Sequence, residues 1–107
     1  SKKNKITKVY LEKMFKIEEI YFLIELCPHM IYLKIDFFNN MDMELFVRLI
    51  LTKINTKSNR QLQLLCFLVV AADDKMIEQL NKMINLEKLL FDYTIKSMCE
   101  NIYLQWK

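Results

Sequence analysis

Residues 30–35 read Met-Ile-Tyr-Leu-Lys-Ile, and residues 62–67 read Leu-Gln-Leu-Leu-Cys-Phe. Both stretches carry apolar side chains at their first, fourth and sixth positions, and the same pattern recurs at Ile6, Val9, Leu11 and at Leu86, Leu89, Phe91. Successive copies begin 24, 32 and 24 residues apart. The fourth and sixth positions of each copy would lie on one face of an extended segment. The pattern therefore predicts four short strands, each with one apolar face.

The segments between these copies are typical of amphipathic helices. Their apolar residues follow helical spacing at Ile17, Ile20, Ile24, Cys27, then at Met43, Phe46, Val47, Ile50, Leu51, Ile54, and then at Met76, Ile77, Leu80, Met83, Ile84. Asp42 and Asp73 are placed to accept hydrogen bonds from the first free N–H groups of the second and third helix. Strands that alternate with helices pair in parallel, with right-handed crossovers that place the helices on one face of the sheet. The polar stretch 55–61 is interpreted as a loop insertion.

The end of the chain departs from this alternation. Residues 89–95 and 102–106 are predicted to form a terminal strand pair, an antiparallel hairpin joined through residues 96–101, with Trp106 covering the end of the core. The sequence contains no Gly. This disfavours phosphate-binding loops, dinucleotide-binding turns and tight two-residue hairpins, because each uses Gly where a Cβ would clash.

Residues 26–35, Leu-Cys-Pro-His-Met-Ile-Tyr-Leu-Lys-Ile, resemble the Leu-Cys-Pro joint between helix and strand in the leucine-rich repeats of F-box proteins. Residues 71–74 (Ala-Ala-Asp-Asp) and 102–107 (Ile-Tyr-Leu-Gln-Trp-Lys) are similar to the C-terminal end of such proteins. The resemblance implies an α/β solenoid with parallel strands on its concave face, helices on its convex face and the terminal strand pair as a cap. It departs from the family where the ladder-forming Asn or Cys would stand, since those positions are Met14, Phe38, Val70 and Thr94.

Length and composition set limits on the class of protein. With 107 residues, 53% of them hydrophobic, the chain is predicted to form one domain over residues 1–107 rather than a disordered tail. Because it begins at Ser1 without Met, we expect the C-terminal fragment of a longer protein. The longest uncharged run, residues 61–72, is twelve residues, short of the roughly 18 that suggest a membrane span. The three cysteines are widely spaced and indicate reduced, buried thiols in the cytoplasm or nucleus.

Neither catalysis nor metal binding is predicted, and no cofactor is expected. The one His, His29, lies near Cys27, but that thiol belongs to the apolar stripe of the first helix. A zinc site needs about four ligands at short spacings, and three distant cysteines with one His do not supply them. The adjacent carboxylates Glu18 and Glu19, like Asp73 and Asp74, would point in different directions on a helix.

A protein-binding surface is predicted on the side of the sheet opposite to the helices. The side chains between the apolar strand positions would align there in three columns: Lys8, Tyr32, Leu64, Lys88; Tyr10, Lys34, Cys66, Leu90; and Glu12, Asp36, Leu68, Asp92. From these the candidate binding residues are Tyr10, Glu12, Tyr32, Lys34, Asp36, Leu64, Leu68, Leu90 and Asp92, because Tyr anchors with apolar neighbours and a charged rim are typical of interfaces.

The favoured function is therefore non-catalytic protein binding, and the resemblance implies the substrate-recognition region of an F-box-type ubiquitin ligase subunit. A ligase adaptor would be bound only through an F-box upstream of these residues. Two alternatives stay open. Residues 1–16 carry six Lys against one Glu, which is typical of a module that binds nucleic acid or an anionic membrane surface. The chain could also be a structural domain with no partner of its own. The first strand is an exposed edge, so self-association is expected.

Overall fold

Among the residues that the structure describes, the chain forms an α/β fold with three helices and five strands. The structure, a computed structural model, describes residues 5–12, 16–36, 43–56, 61–69 and 73–107. The elements follow in the order β1 (Lys8–Leu11), α1 (Ile17–Leu26), β2 (Tyr32–Asp36), α2 (Met43–Thr56), β3 (Leu64–Leu68), α3 (Asp74–Leu86), β4 (Tyr93–Met98) and β5 (Asn101–Trp106). The predicted alternation of strands and helices is confirmed as far as α3.

The five strands form one mixed sheet with the order β1-β2-β3-β5-β4. The pairs β1–β2 and β2–β3 are parallel, with Val9 beside Leu33 and Leu33 beside Leu65. The pairs β3–β5 and β4–β5 are antiparallel. Three parallel strands thus lie in chain order, and a C-terminal hairpin lies against the last of them.

The three helices share one face of this sheet and bury it. Alternate strand residues form a single core with the apolar stripes of the helices; they are Leu33, Ile35, Leu65, Phe67, Ile102, Leu104 and Trp106, packed with Ile20, Ile24, Val47, Ile50, Leu80 and Ile84. Full burial of a side chain of this size contributes roughly 1.5–3 kcal/mol. The intervening residues of each strand lie on the opposite face, which none of the described helices covers.

Local signals explain where α1 and α3 begin and end. The backbone N–H of Lys16 donates to Oε1 of Glu19 at 3.0 Å, so an acidic side chain of the first turn holds the start of α1. Helix α1 ends at Leu26, next to the Cys27–Pro28 joint, because the residue before a proline is pushed out of the helical region. The Asp73 carboxylate accepts from the N–H of Met76 at 2.9 Å, which confirms the predicted cap of α3.

The fourth copy of the apolar pattern does not form a parallel strand, so that prediction is wrong. Leu86 is the last residue of α3, and a turn at Glu87 and Lys88 follows it. Lys88 takes a φ of 54°, and the N–H of Leu89 donates to the Ile84 carbonyl at 3.0 Å. Leu86 and Phe91, expected in the core, are 79% and 86% exposed. The pattern fits these residues because the end of a helix and a loop can match a loose apolar triplet by chance.

The terminal antiparallel hairpin is confirmed, but its turn is tighter than predicted. The strands are joined by two residues, Cys99 and Glu100, and Met98 pairs with Asn101. The turn needs a left-handed residue, and Cys99 supplies it with a φ of 57° although it carries a Cβ. The absence of Gly therefore does not prevent a two-residue hairpin here; it adds roughly 1–2 kcal/mol of local strain.

Some predicted features lie outside the described residues. They are the Asp42 cap, the ladder positions Met14, Phe38 and Val70, and the centre of the loop insertion at 57–60. The first residues of the predicted loop, Asn55 and Thr56, are instead the last residues of α2. Among the described residues, no helix is both long and apolar enough to cross a membrane.

Candidate functional site

The uncovered face of the sheet brings together most of the predicted binding residues. The register places Lys8 beside Tyr32 and Tyr32 beside Leu64, and it places Tyr10, Lys34 and Cys66 in the next column. Asp36 pairs with Leu68, and Glu12 follows the last residue of β1. We call this surface the open face, and its strand residues are Lys8, Tyr10, Tyr32, Lys34, Asp36, Leu64, Cys66, Leu68, Thr94, Lys96, Met98, Asn101, Tyr103 and Gln105.

Three tyrosines from three different strands lie near the middle of the open face. The rings of Tyr10 and Tyr32 meet edge to face, with centroids 5.6 Å apart and planes at 85°. Tyr103 pairs with Cys66 across the β3–β5 ladder. We call Tyr10, Tyr32 and Tyr103 the tyrosine cluster. Tyr32 and Tyr103 lie next to Cys66, which has no exposed surface even though it lies on the face without helices.

Polar contacts tie the cluster to the Cys66 thiol. The Sγ of Cys66 lies 3.7 Å from Oδ1 of Asn101 and donates to it. Burial is the main cause that raises the pKa of Tyr32, and its hydrogen bond with Cys66 adds to the effect. The electrostatic interaction with Cys66 is the main cause that raises the pKa of Tyr103, while the ammonium of Lys34 opposes it. These tyrosines therefore keep their protons at neutral pH, as hydroxyls that can both donate and accept hydrogen bonds.

Charged side chains surround the cluster in two separate sets. Lys34 lies in the same column as Tyr103, and Lys96 pairs with Tyr103 from β4. The acidic Asp36 lies one column away, and Glu12 extends that side. The open face is thus aromatic at its centre, basic along one column and acidic along the next.

Two predicted binding residues, Leu90 and Asp92, do not belong to the open face. Both follow the turn after α3 rather than lying on a parallel strand, for the reason given for the fourth apolar copy. Leu90 packs against the core, and the Asp92 carbonyl accepts from the N–H of Lys107 at 3.4 Å. They line a groove of about 600 Å³ with Ile54, Leu89 and Trp106, at the end of α2. Lys88, expected in the same column as Lys8, also lines this groove.

The positions predicted for Lys88, Leu90 and Asp92 are occupied by Gln105, Tyr103 and Asn101 of β5, which the sequence did not lead us to include in the binding surface. Their alternation with buried Ile102, Leu104 and Trp106 was a usable signal. It indicates that residues 101–106 form a half-buried strand of the same sheet. What it does not indicate is that β5 lies next to β3, because the predicted fourth parallel strand occupied that position.

The described residues bring no set of metal ligands together. No group of three or more His, Cys, Asp or Glu side chains among them could hold a metal ion. Burial raises the pKa of the Cys27 thiol, so the thiol near His29 keeps its proton at neutral pH. Cys27 and Cys66 are buried as predicted, whereas Cys99 is exposed at the tip of the hairpin.

Comparison of the chain with protein families, curated proteins and solved structures finds no match in any of the three.

Proposed function

We propose that the open face binds another protein without catalysing a reaction. The observation that carries this proposal is the tyrosine cluster, presented by three strands on a sheet face that no described helix covers. Tyr10 is 61% exposed although it is a large aromatic residue. Tyrosine is enriched at interfaces because it offers a large apolar area, a hydrogen-bonding hydroxyl and little side-chain entropy to lose.

The geometry favours a partner segment of mixed charge. The edge-to-face contact of Tyr10 and Tyr32 fixes two rings before binding, which lowers the entropy lost on association. Half-buried Leu64 and Leu68 supply apolar contacts beside the cluster. A partner that places acidic groups over Lys34 and Lys96 and a basic group over Asp36 would match both charged sets. A nucleic-acid backbone would meet the acidic set unfavourably.

We further propose that the chain is a leucine-rich-repeat solenoid and the substrate-recognition region of an F-box-type ubiquitin ligase subunit. Three strand–helix units in chain order with parallel strands support this assignment, as does the end of α1 at the Cys27–Pro28 joint. A cytoplasmic or nuclear location is proposed with it, since all three cysteines are free thiols and Cys99 is exposed.

The decisive experiment compares two surfaces of the same protein by photo-crosslinking in cells. A photoreactive amino acid is placed at Tyr10 or Tyr103 on the open face, and at Gln79 or Lys82 on the exposed side of α3. We expect discrete protein adducts from the open face and none from α3. Combined replacement of Tyr10, Tyr32 and Lys34 by Ala should abolish capture of the crosslinked partner and leave the far-ultraviolet circular dichroism unchanged.

Three outcomes would overturn the proposal. Equal adducts from both surfaces, or equal capture by the wild type and the triple variant, would remove the open face as the binding site. Adducts that are lost on nuclease treatment, with an affinity that falls steeply with salt, would favour the nucleic-acid alternative. A variant with Ala at Lys75, Gln79 and Lys82 serves as the matched control, because it changes three exposed side chains of α3.

A further inference from the structure

The strand β1 forms one edge of the sheet, and no strand among the described residues pairs with its outer side. The Thr7 carbonyl accepts from the N–H groups of Ile31 and Tyr32, so it points towards β2. Backbone groups of successive strand residues point to opposite sides. The N–H and C=O groups of Lys8 and Tyr10 therefore point outwards from the sheet. An edge of this kind is a template for a further strand.

Two copies of this edge strand present complementary side chains to each other when they run antiparallel. The segment Lys8–Val9–Tyr10–Leu11–Glu12 begins with a cation, ends with an anion and has Tyr at its centre. Antiparallel pairing of two such segments with Tyr10 opposite Tyr10 places each Lys8 opposite the Glu12 of the other copy. It also places each Val9 opposite the other Leu11. Opposite charges and apolar pairs at facing positions stabilise such a ladder.

We propose that a second copy of this chain pairs antiparallel with β1 in this register, which joins two five-stranded sheets into one ten-stranded sheet. The inference goes beyond the proposed binding of a partner on the open face, because it concerns the edge of the sheet. The outward-pointing Lys8 and Tyr10 fall at hydrogen-bonded pairs of the new ladder. The two Tyr10 rings lie at the two-fold axis, which continues the aromatic row that begins at Tyr32.

The alternation of faces excludes neighbouring registers. A shift by one residue would place the helices of the second copy on the opposite face of the joined sheet, so that Val9 and Leu11, which pack against the core, would lie beside open-face residues of the other copy. A shift by two would leave Lys8 or Glu12 without its opposite charge. Helix α1 does not offer an equivalent contact, since residues 17–26 contain Glu18, Glu19 and Glu25 and no basic side chain. The β1 edge is therefore self-complementary in charge, whereas α1 is not.

Charge exchange across this ladder gives a direct test by sedimentation velocity over a range of concentrations. The variants Lys8→Glu and Glu12→Lys each create two like-charged facing pairs, and we expect each to weaken the dimer by at least about tenfold. The double variant restores opposite charges with the sign reversed, and its dissociation constant should return to within about threefold of the wild type. The control Lys75→Glu makes the same charge change on α3 and should leave the dimer unchanged.

A backbone variant tests the ladder independently of charge. Tyr10→Pro removes an N–H that points outwards, so the strand can keep its pairing with β2 while the hydrogen-bonded pair at the two-fold axis is lost. We expect a monomer with the helical circular dichroism of the wild type. A wild type that stays monomeric at every concentration would overturn the proposal and favour a preceding strand–helix unit as the occupant of this edge. A double variant as weak as the two single variants would exclude this register.

Discussion

The two halves of the sheet are built from the same alternation of buried and exposed residues, yet only one of them alternates strands with helices. In the parallel half, β1 to β3, each strand is followed by a helix that buries one side of the sheet. In the antiparallel half, β4 and β5 come from one hairpin and have no helix of their own. The buried residues of β5 belong to the same core as those of α2 and α3, so the hairpin completes the core of the strand–helix units. The same alternation of buried and exposed residues can thus either extend a parallel sheet or end it, and the local turn determines which.

Phe67 tests whether the two halves form one cooperative unit, and it gives the largest expected effect. This side chain of β3 is fully buried, and β3 pairs with both halves. Phe67→Ala is expected to lower the free energy of unfolding by about 3–5 kcal/mol. Urea unfolding is followed by helical circular dichroism and by the fluorescence of Trp106, the single Trp. The two transitions should coincide. Separate transitions would show that the hairpin and the parallel half unfold independently. Met98→Ala, at an exposed site, is the control.

The Asp73 cap tests how much one helix start contributes to the stability of the parallel half. Asp73→Ala removes the acceptor of the Met76 N–H, and an N-cap of this kind contributes about 1 kcal/mol. We expect that decrease in the free energy of unfolding from urea denaturation. Lys75→Ala is the matched control, because Lys75 is an exposed residue of the same turn that holds no cap. An equal loss in both variants would mean that helix propensity, and not the cap, explains the effect.

Cys99 gives a test of the antiparallel half in which the expected effect is an increase in stability. Cys99→Gly removes a Cβ from a residue whose φ is 57°, so we expect the protein to become more stable by up to about 1 kcal/mol. Lys88→Gly makes the same change at the end of α3, where φ is 54°. Thermal unfolding of both variants compares the two turns. A decrease in stability at position 99 would show that the Cys99 side chain makes contacts that offset the strain.

Alkaline pH probes the contact between the halves, since Tyr32 lies in the parallel half and Tyr103 in the antiparallel half. Their pKa values are raised in the folded state, above about 10 for an unfolded tyrosine. The corresponding stability is present below pH ~10 and is lost as the pH rises through the folded pKa values. Tyr32→Phe removes the loss of stability that ionisation of Tyr32 causes. The urea midpoint of the variant should therefore fall less than that of the wild type between neutral and strongly alkaline pH. Parallel decreases would contradict the assignment.

The parallel half could be predicted from the sequence because its signals are local and agree with one another. Strand alternation at Leu33 and Ile35, the helical stripe of α1 and the stop at Pro28 all indicate the same architecture. The columns of the open face follow from them, which is why Tyr10, Tyr32, Lys34 and Asp36 were placed correctly on one surface.

The antiparallel half could be predicted only in part, because its position depends on pairing between distant residues. The hairpin itself follows from alternation at Ile102 and Leu104. Its neighbour in the sheet does not, since β3 and β5 are separated by α3 and β4. Lys88 takes a left-handed φ that follows the end of α3 and turns the chain away from a fourth parallel strand. The sequence does not indicate this turn, because Gly or Asn, the usual residues at such a position, is not found there. Tyr103 was missed for this reason.

The position of β3 between the two halves also affects how the chain folds as it is synthesised. Its residues, Leu-Leu-Cys-Phe-Leu, are uncharged and β-prone, and one edge of this strand stays unpaired until β5 has been made more than thirty residues later. Such a segment is a site of aggregation while it is exposed. Folding of the first two strand–helix units therefore does not protect the nascent chain. The synthesis of the final hairpin determines how long the edge of β3 can pair with other chains.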